Sequence, residues 1–336
     1  MQVANNHQLN PFGGGDANVG RYLVRRLLAM IPLLLGISFI VFSLLNILPG
    51  DPVSIMLSSN PHITPDAETI AQMRAQYGLD KPLLTQYFIF LGNLFKGDLG
   101  TSMYTQQPVL TAIWERMPAT AELALAALTI SVVIAIPVGV ISAVRQYSWI
   151  DHLCLIGTLI GVSMPSFWLG LLLMLTFSLE LRWLPLSGMG YLYNGIGDVI
   201  RHLIMPAFTL GFGMAALLAR VTRSSMLEVL GQDYIRTARA KGLHEKVVIY
   251  RHALRNGFIP ILTVLGVQFG YLLGGSVIVE TIFSWPGIGR LAVNSIMNRD
   301  LPIVQGTVLV FTLIFILVNL AVDILYAAVD PRIQYD

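Results

Sequence analysis

Long apolar runs, almost free of charge, recur through this chain and confine it to folds that a lipid bilayer can solvate. They lie at about 27–48, 122–144, 153–179, 203–219, 258–279 and 303–322. A helix needs about 20 consecutive apolar residues to cross the hydrocarbon. Within that layer every backbone N–H and C=O must be satisfied inside the segment. The expectation is an all-α integral membrane protein with six transmembrane helices. Composition agrees: 55% of the residues are hydrophobic and 12% charged, against about a quarter charged in soluble domains.

Charge placement orients the spans, because cytoplasmic loops carry the Lys/Arg excess. Arg21, Arg25 and Arg26 precede the first run, Arg145 sits in a short turn after the second, and Arg332 follows the last. The stretch from Arg220 to Pro260 adds Arg220, Arg223, Arg236, Arg239, Lys241, Lys246, Arg251 and Arg255 against Glu228, Asp233 and Glu245. On the other side, Arg74, Lys81, Lys96, Arg116, Arg182, Arg201, Arg290 and Arg299 are spread through larger loops. Both termini are therefore expected in the cytoplasm. The first run, with its basic flank, also has the look of a secretory signal; its length and the lack of a small-x-small cleavage site favour an uncleaved span. Residues 1–20 are polar, contain Gly13-Gly14-Gly15 and show no periodicity. They read as a disordered cytoplasmic extension ahead of a transmembrane domain over 21–336.

The basic stretch has internal order. Over 223–256, Tyr234, Thr237, Ala238 and Lys241 recur at i, i+3, i+4 and i+7, which predicts a short helix from about Asp233 to Lys241. Gly242 suits the left-handed residue that ends a helix. A second helix is expected from about Glu245, with Val247, Val248, Tyr250 and Leu254 free to pack. Positive charge alone would be met by a segment held at anionic headgroups. Two helices hinged on a glycine and hung from two spans instead suit a docking handle.

At this point DYIRTARAKGL, followed by HALRNGFIP, resembles the cytoplasmic coupling loop of permease subunits in bacterial ATP-driven (ABC) importers, in the form found in the dipeptide, oligopeptide, nickel and glutathione group. Arg236-Thr237-Ala238 stands where the general pattern has Glu-Ala-Ala, Gly242 matches the pattern's glycine, and the proline comes later, at Pro260. LPGDP at 48–52, GLDKPLLTQY at 78–87, KGDLGTS at 96–102, SMPSFWLGLLLM at 163–174, ETIFSWPGIGRL at 280–291 and VDILYAAVDPRI at 322–333 are similar to the same group, in the first of its two permeases. The resemblance implies a type I importer permease fold in the bacterial inner membrane, carrying peptides, with nickel or a metal chelate as the alternative cargo. It implies as partners a second, homologous permease, two cytoplasmic ATPases that hold the ATP and Mg, and an extracytoplasmic solute-binding protein. In this chain it would place ATPase coupling on Asp233, Tyr234, Arg236, Thr237, Ala238, Arg239, Lys241 and Gly242.

The rest of the chain supplies the path and its packing. Residues 49–118 form a long outer segment. It holds an N-cap at Thr64-Pro65-Asp66, a helix whose stripe is Ile70, Met73 and Tyr77, and a weaker helix over about 84–94. This segment either caps the pore and meets a delivery protein or lies laterally at the interface. Pro137 and Pro165 should kink their helices, and Ser163 and Ser166 can satisfy freed carbonyls at the second break. Gly266, Gly270 and Gly274 make a small-xxx-small ridge for close helix packing. Gln268 lies about 200° around from Gly266. It borders the translocation route, with Ser163 and Ser166 as further candidates, or else bonds within a helix interface.

Other function classes lose ground on the same residues. A net charge of +2 leaves no nucleic-acid footprint, Cys154 is the single cysteine, and the six histidines are scattered. No metal site is readable. There is no G-x-x-x-x-G-K-[ST] and no Ser/His/Asp set, so ATP hydrolysis is expected in partner subunits and no cofactor in this chain. A channel or secondary transporter would place ionisable residues within spans. Glu122, Glu180, Glu280 and Asp323 sit near span ends instead, where helix capping or interfacial pairing accounts for them.

Overall fold

The computed structural model describes residues 28–43, 53, 67–76 and 78–329. The extension, the Thr64-Pro65-Asp66 cap, Tyr77 and the LPGDP motif lie outside them. Among the described residues the elements are helical, apart from one isolated bridge between Thr101 and Pro108. The helices are α1 (Leu28–Ser43), α2 (Ala67–Gln76), α3 (Leu83–Phe95), α4 (Val109–Trp114) and α5 (Met117–Val144). Next come α6 (Trp149–Ser163) and α7 (Ser166–Leu173), which widens to π geometry over Met174–Glu180. They are followed by α8 (Ile196–Leu230), α9 (Asp233–Ala240) and α10 (Glu245–Val247), which widens over Val248–Leu254. The last four are α11 (Phe258–Gly275), α12 (Val277–Ile282), α13 (Ile288–Met297) and α14 (Leu301–Val329).

The centre of the bundle is the pairing of α5 with α8. Their buried residues are mostly small: Ala119, Ala124, Ala127, Ala135 and Gly139 on α5 against Ala207, Gly211, Ala215 and Ala219 on α8. Lipid tails are as apolar as leucine, so helix association in a bilayer depends on this kind of close backbone approach. α14 packs on α11, and α1 meets α3 through the Ser38–Tyr87 hydroxyl bond of 3.0 Å, with Phe39 and Phe42 against the same ring.

Three helical runs among the described residues are long and apolar enough to cross a membrane: Val109–Val144, Ile196–Leu230 and Leu301–Val322. Leu28–Ser43 and Phe258–Leu272 are apolar but shorter. The expected span at 153–179 needs correction, because it is two helices meeting at 103° where a kink was expected. The residue before a proline is pushed out of the α region, and Met164 accordingly has φ −81° and ψ 120°. Neither Ser163, which is exposed, nor Ser166, which is half-buried, gives its hydroxyl to a freed carbonyl there. Pro137 and Pro206 have the same local chemistry, yet α5 and α8 continue through them.

Two further boundaries move. α8 has 35 residues, about 52 Å at 1.5 Å per residue, against a hydrocarbon core of about 30 Å. Arg220 and Arg223 therefore sit on a helix, and the connecting stretch begins at Gly231. The turn after α12 carries an extra helix, α13, which buries Ile288, Ala292 and Ser295.

Candidate functional site

The handle between α8 and α11 takes its position from two side chains of α9. Ile235 is fully buried and Ala238 is 8% exposed, in a cluster with Val140 and Ala143 of α5, Met226 of α8, and Val248, Ile249 and Ala253 of the π segment. This face seats the short helix on the bundle. The opposite face is open: Asp233, Arg236, Thr237, Arg239, Ala240 and Lys241 are exposed, and Tyr234 is 44% exposed. Of the four residues in the expected stripe, Tyr234, Thr237 and Lys241 stay outside while Ala238 turns in. Ile235 defines the inward direction. It was missed because in an eight-residue helix a single β-branched residue sets the buried side.

The end of α9 is a complete Schellman motif. Leu243 N–H donates to Ala238 O at 3.4 Å and Gly242 N–H to Arg239 O at 2.9 Å, which satisfies two carbonyls the helix would leave free. The motif requires a left-handed residue, and Gly242 has φ +75°. Across this turn Arg239 holds Glu245, with Nη2 to Oε1 at 2.7 Å and Nε to the two oxygens at 3.2 and 3.3 Å. The guanidinium bonds lower the Glu245 carboxyl below its usual range and raise Arg239. Both side chains are about half exposed, so the clasp contributes at most about 1 kcal/mol; it sets the angle of the turn more than its stability. The Arg236–Asp233 contact of 3.5 Å is more exposed still.

The candidates for the path are not gathered in one place. Gln268 is half-buried and its amide Nε2 donates to Met214 O of α8 at 3.4 Å, which fits the helix-interface reading. No hydrogen bond joins it to Ser163 or Ser166, which flank the bend. On the other side of α11, a Cβ at Gly266 would overlap Val322, and one at Gly270 would press on the Phe315 ring at 3.1 Å. Those two glycines thus face α14; the surroundings of Gly274 lie outside the described residues.

Two buried carboxylates stand out: Asp151, to which the sequence reading gave no role, and Glu280, for which it expected helix capping or interfacial pairing. Asp151 in the first turn of α6 is 1% exposed, and its oxygens accept from Nε and Nη2 of Arg223, both at 2.9 Å. Its signal was Ser148-x-x-Asp151, the capping-box pattern; Ser148 Oγ does accept from Asp151 N–H at 3.3 Å. Glu280 on α12 is fully buried. Its carboxylate accepts from Thr120 Oγ1 at 3.0 Å, Ser276 Oγ at 2.9 Å and the Arg290 N–H at 3.0 Å. The last bond caps the first turn of α13, where a carboxylate is favoured by the helix dipole, in keeping with the capping role expected of the acids at span ends. Asp300 accepts from Ser102 Oγ and, at 3.1 Å, from Met103 N–H, tying the turn before α4 to the start of α14.

Residues 135–335 match the sequence family described as binding-protein-dependent transport system inner membrane component, and 19–124 match its N-terminal membrane-component family. The dipeptide transport system permease protein DppB of Alkalihalophilus pseudofirmus is 44% identical, covering 94% of this chain and 99% of that protein. The glutathione transport system permease protein GsiC of Pectobacterium atrosepticum is 45% identical over the same shares. Among solved structures, an inward-facing crystal form of the methionine ABC transporter MetNI superposes with a TM-score of 0.55 at 16% identity, covering 66% of this chain and 97% of that one.

Proposed function

The chain belongs to the inner membrane components of binding-protein-dependent transport systems, and from that premise we infer that it is the permease subunit that forms half of the translocation pathway of an ATP-driven peptide importer. Relatives named for dipeptide and for glutathione transport support a short peptide as cargo; nickel or a metal chelate is the alternative on the same architecture. The family role also supports a complex with a second permease, two ATP-hydrolysing subunits and a solute-binding protein, this chain itself catalysing no reaction.

The observation that carries the coupling role is the two-sided α9. Its inward face is locked by Ile235 and Ala238, and its outward face offers Tyr234, Thr237, Ala240 and Lys241. A subunit without an ATP site can be driven only by a contact that differs between its inward and outward states, and a rigidly seated, exposed helix transmits such a contact. Tyr234 is the aromatic anchor of that face, while Arg236, with its loose partner, adds little. Tyr234→Ala is expected to cut copurification of the ATPases several-fold, and Arg236→Ala to leave it near wild type. Equal retention by both variants would remove Tyr234 from the interface.

The topology proposed is six spans with both termini cytoplasmic and 49–118 outside. The bent α6/α7 pair counts as one span, and α11 with α12 as another. A reporter fused after Met226 is expected to read cytoplasmic and one after Gly97 extracytoplasmic. Labelling of Arg239→Cys by an impermeant reagent from the outside would overturn both the orientation and the coupling reading.

A further inference from the structure

The handle has to reach the rest of the bundle through something stiffer than apolar contact, and one group of side chains has the right form. Asp151 Oδ1 accepts from Arg223 Nε at 2.9 Å and from Ser142 Oγ at 2.5 Å. Oδ2 accepts from Arg223 Nη2 at 2.9 Å and from the Tyr147 N–H at 3.0 Å. Both oxygens are thus doubly occupied, and the side chains of Asp151 and Arg223 are 1% and 20% exposed. The donors come from three places: Ser142 from the last turn of α5, Tyr147 from the turn between α5 and α6, and Arg223 from the extended end of α8. That end runs on through Leu230 into α9. Val140 and Ala143, beside Ser142 on α5, pack in the cluster that seats Ile235 and Ala238 of α9. Tyr147 has φ +62°, a conformation a bulky residue rarely adopts, and its N–H bond to Asp151 helps to hold it.

A buried ion pair is no better for stability than a well-packed apolar pair, but it is costly to break and it fixes orientation. A guanidinium gripping a carboxylate through two parallel bonds resists sliding and rotation as apolar surfaces do not. We propose that Asp151 and Arg223 form the joint that makes the bent α6/α7 pair move with the coupling handle, acting as positioning residues for transport. A displacement of α9 is carried along α8 to Arg223, through Asp151 into α6, and past the bend to α7. There Gly170 lies against Phe283 beyond α12, so the chain of contacts extends toward the outer turn. The proposal rests on the reading of residues 233–242 as the coupling element.

The test uses the complete importer in liposomes, with this subunit in a background lacking Cys154. Spin labels at Glu228→Cys on the end of α8 and Leu159→Cys on α6 are each measured against a label at Trp114→Cys, with and without ATP. In the wild-type background both distances are expected to change with nucleotide. In Asp151→Asn the Glu228 distance should still change and the Leu159 distance should not, with ATP hydrolysis retained and peptide uptake per ATP reduced at least about fivefold, the lower end of ordinary coupling energies. A Leu159 distance that still responds would overturn the proposal. If Asp151→Asn does not assemble, Asp151→Leu/Arg223→Met removes both charges together. Hydrolysis without uptake then supports the joint, wild-type uptake overturns it, and failure of this variant to assemble as well assigns the pair to folding alone. A Glu228 label that ignores ATP in the wild-type background would sink the coupling reading, and the joint with it.

Discussion

Gly242→Val is expected to abolish peptide uptake while the variant subunit reaches the membrane at wild-type levels. Gly242 sits at φ +75° and a Cβ there would meet nothing within 4 Å. The fault introduced by valine is therefore entirely in the backbone. Strain of this kind is about 1–3 kcal/mol, below the 5–15 kcal/mol or so that holds a domain together, so the bundle survives. The turn does not keep its shape. Moving Gly242 out of the left-handed region breaks the bonds from Leu243 to Ala238 and from Gly242 to Arg239, and the Arg239–Glu245 clasp loses its span. The outward face of α9 is then presented at another angle. Gly242→Asn separates backbone from bulk, because asparagine tolerates left-handed geometry; it should keep most of the uptake. Uptake of a labelled dipeptide into proteoliposomes, normalised to subunit content, reads both variants. Wild-type uptake by Gly242→Val would show that this turn has no part in coupling.

The second large effect falls at the other end of the bundle, and on stability. Glu280→Ala should leave little folded protein in the membrane. Its carboxylate is the acceptor for Thr120, Ser276 and the Arg290 N–H in a site with no exposed surface. Removing one partner of a buried bond costs about 1–3 kcal/mol for each group left unpaired. The two hydroxyls can turn back to their own helices, but the Arg290 N–H has no such alternative, and the lost side-chain volume adds a cavity term. A total above about 3 kcal/mol is among the larger effects of a single substitution. Glu280→Gln keeps the volume and can keep its oxygen on the Arg290 N–H, with its amide donating to the two hydroxyls once they rotate, so it should fall between alanine and wild type. Thermal unfolding of the purified subunit, with its steady-state level in membranes, gives the order. An alanine variant that melts with the wild type would mean that the network is not what holds the outer ends together.

How far the sequence could be read depended on how local each cause was. Gly242 was legible because a helix end with this hydrogen-bond pattern needs positive φ, and only glycine takes it freely. The break at Pro165 was legible too, since proline acts on the residue before it. Its angle was not: the same residue type leaves α5 and α8 continuous at Pro137 and Pro206. Three of the four stripe residues of α9 share the outward side, while Ala238 follows Ile235 inward because α5 is there to receive them. Asp151 and Arg223 are 72 residues apart. Before folding, Arg223 is one of several arginines in the basic stretch 220–260 and Asp151 is the end of a capping box. Glu280 was expected to cap a helix or pair at the interface, but the helix it caps, α13, was hidden in what read as a turn.

The outer network also imposes an order on how the protein is made. Thr120 must wait for Glu280, 160 residues later, Ala119 for the indole of Trp285, 166 residues later, and Ser102 for Asp300, 198 residues later. At about 5–20 residues per second, the ribosome takes on the order of ten to forty seconds to cover that interval. Through that time the first half of the chain lacks these partners, and every one of these bonds is completed by residues from 276 onward. Translation that stops short of that region yields a set of helices in which Thr120, Ala119 and Ser102 lack these partners.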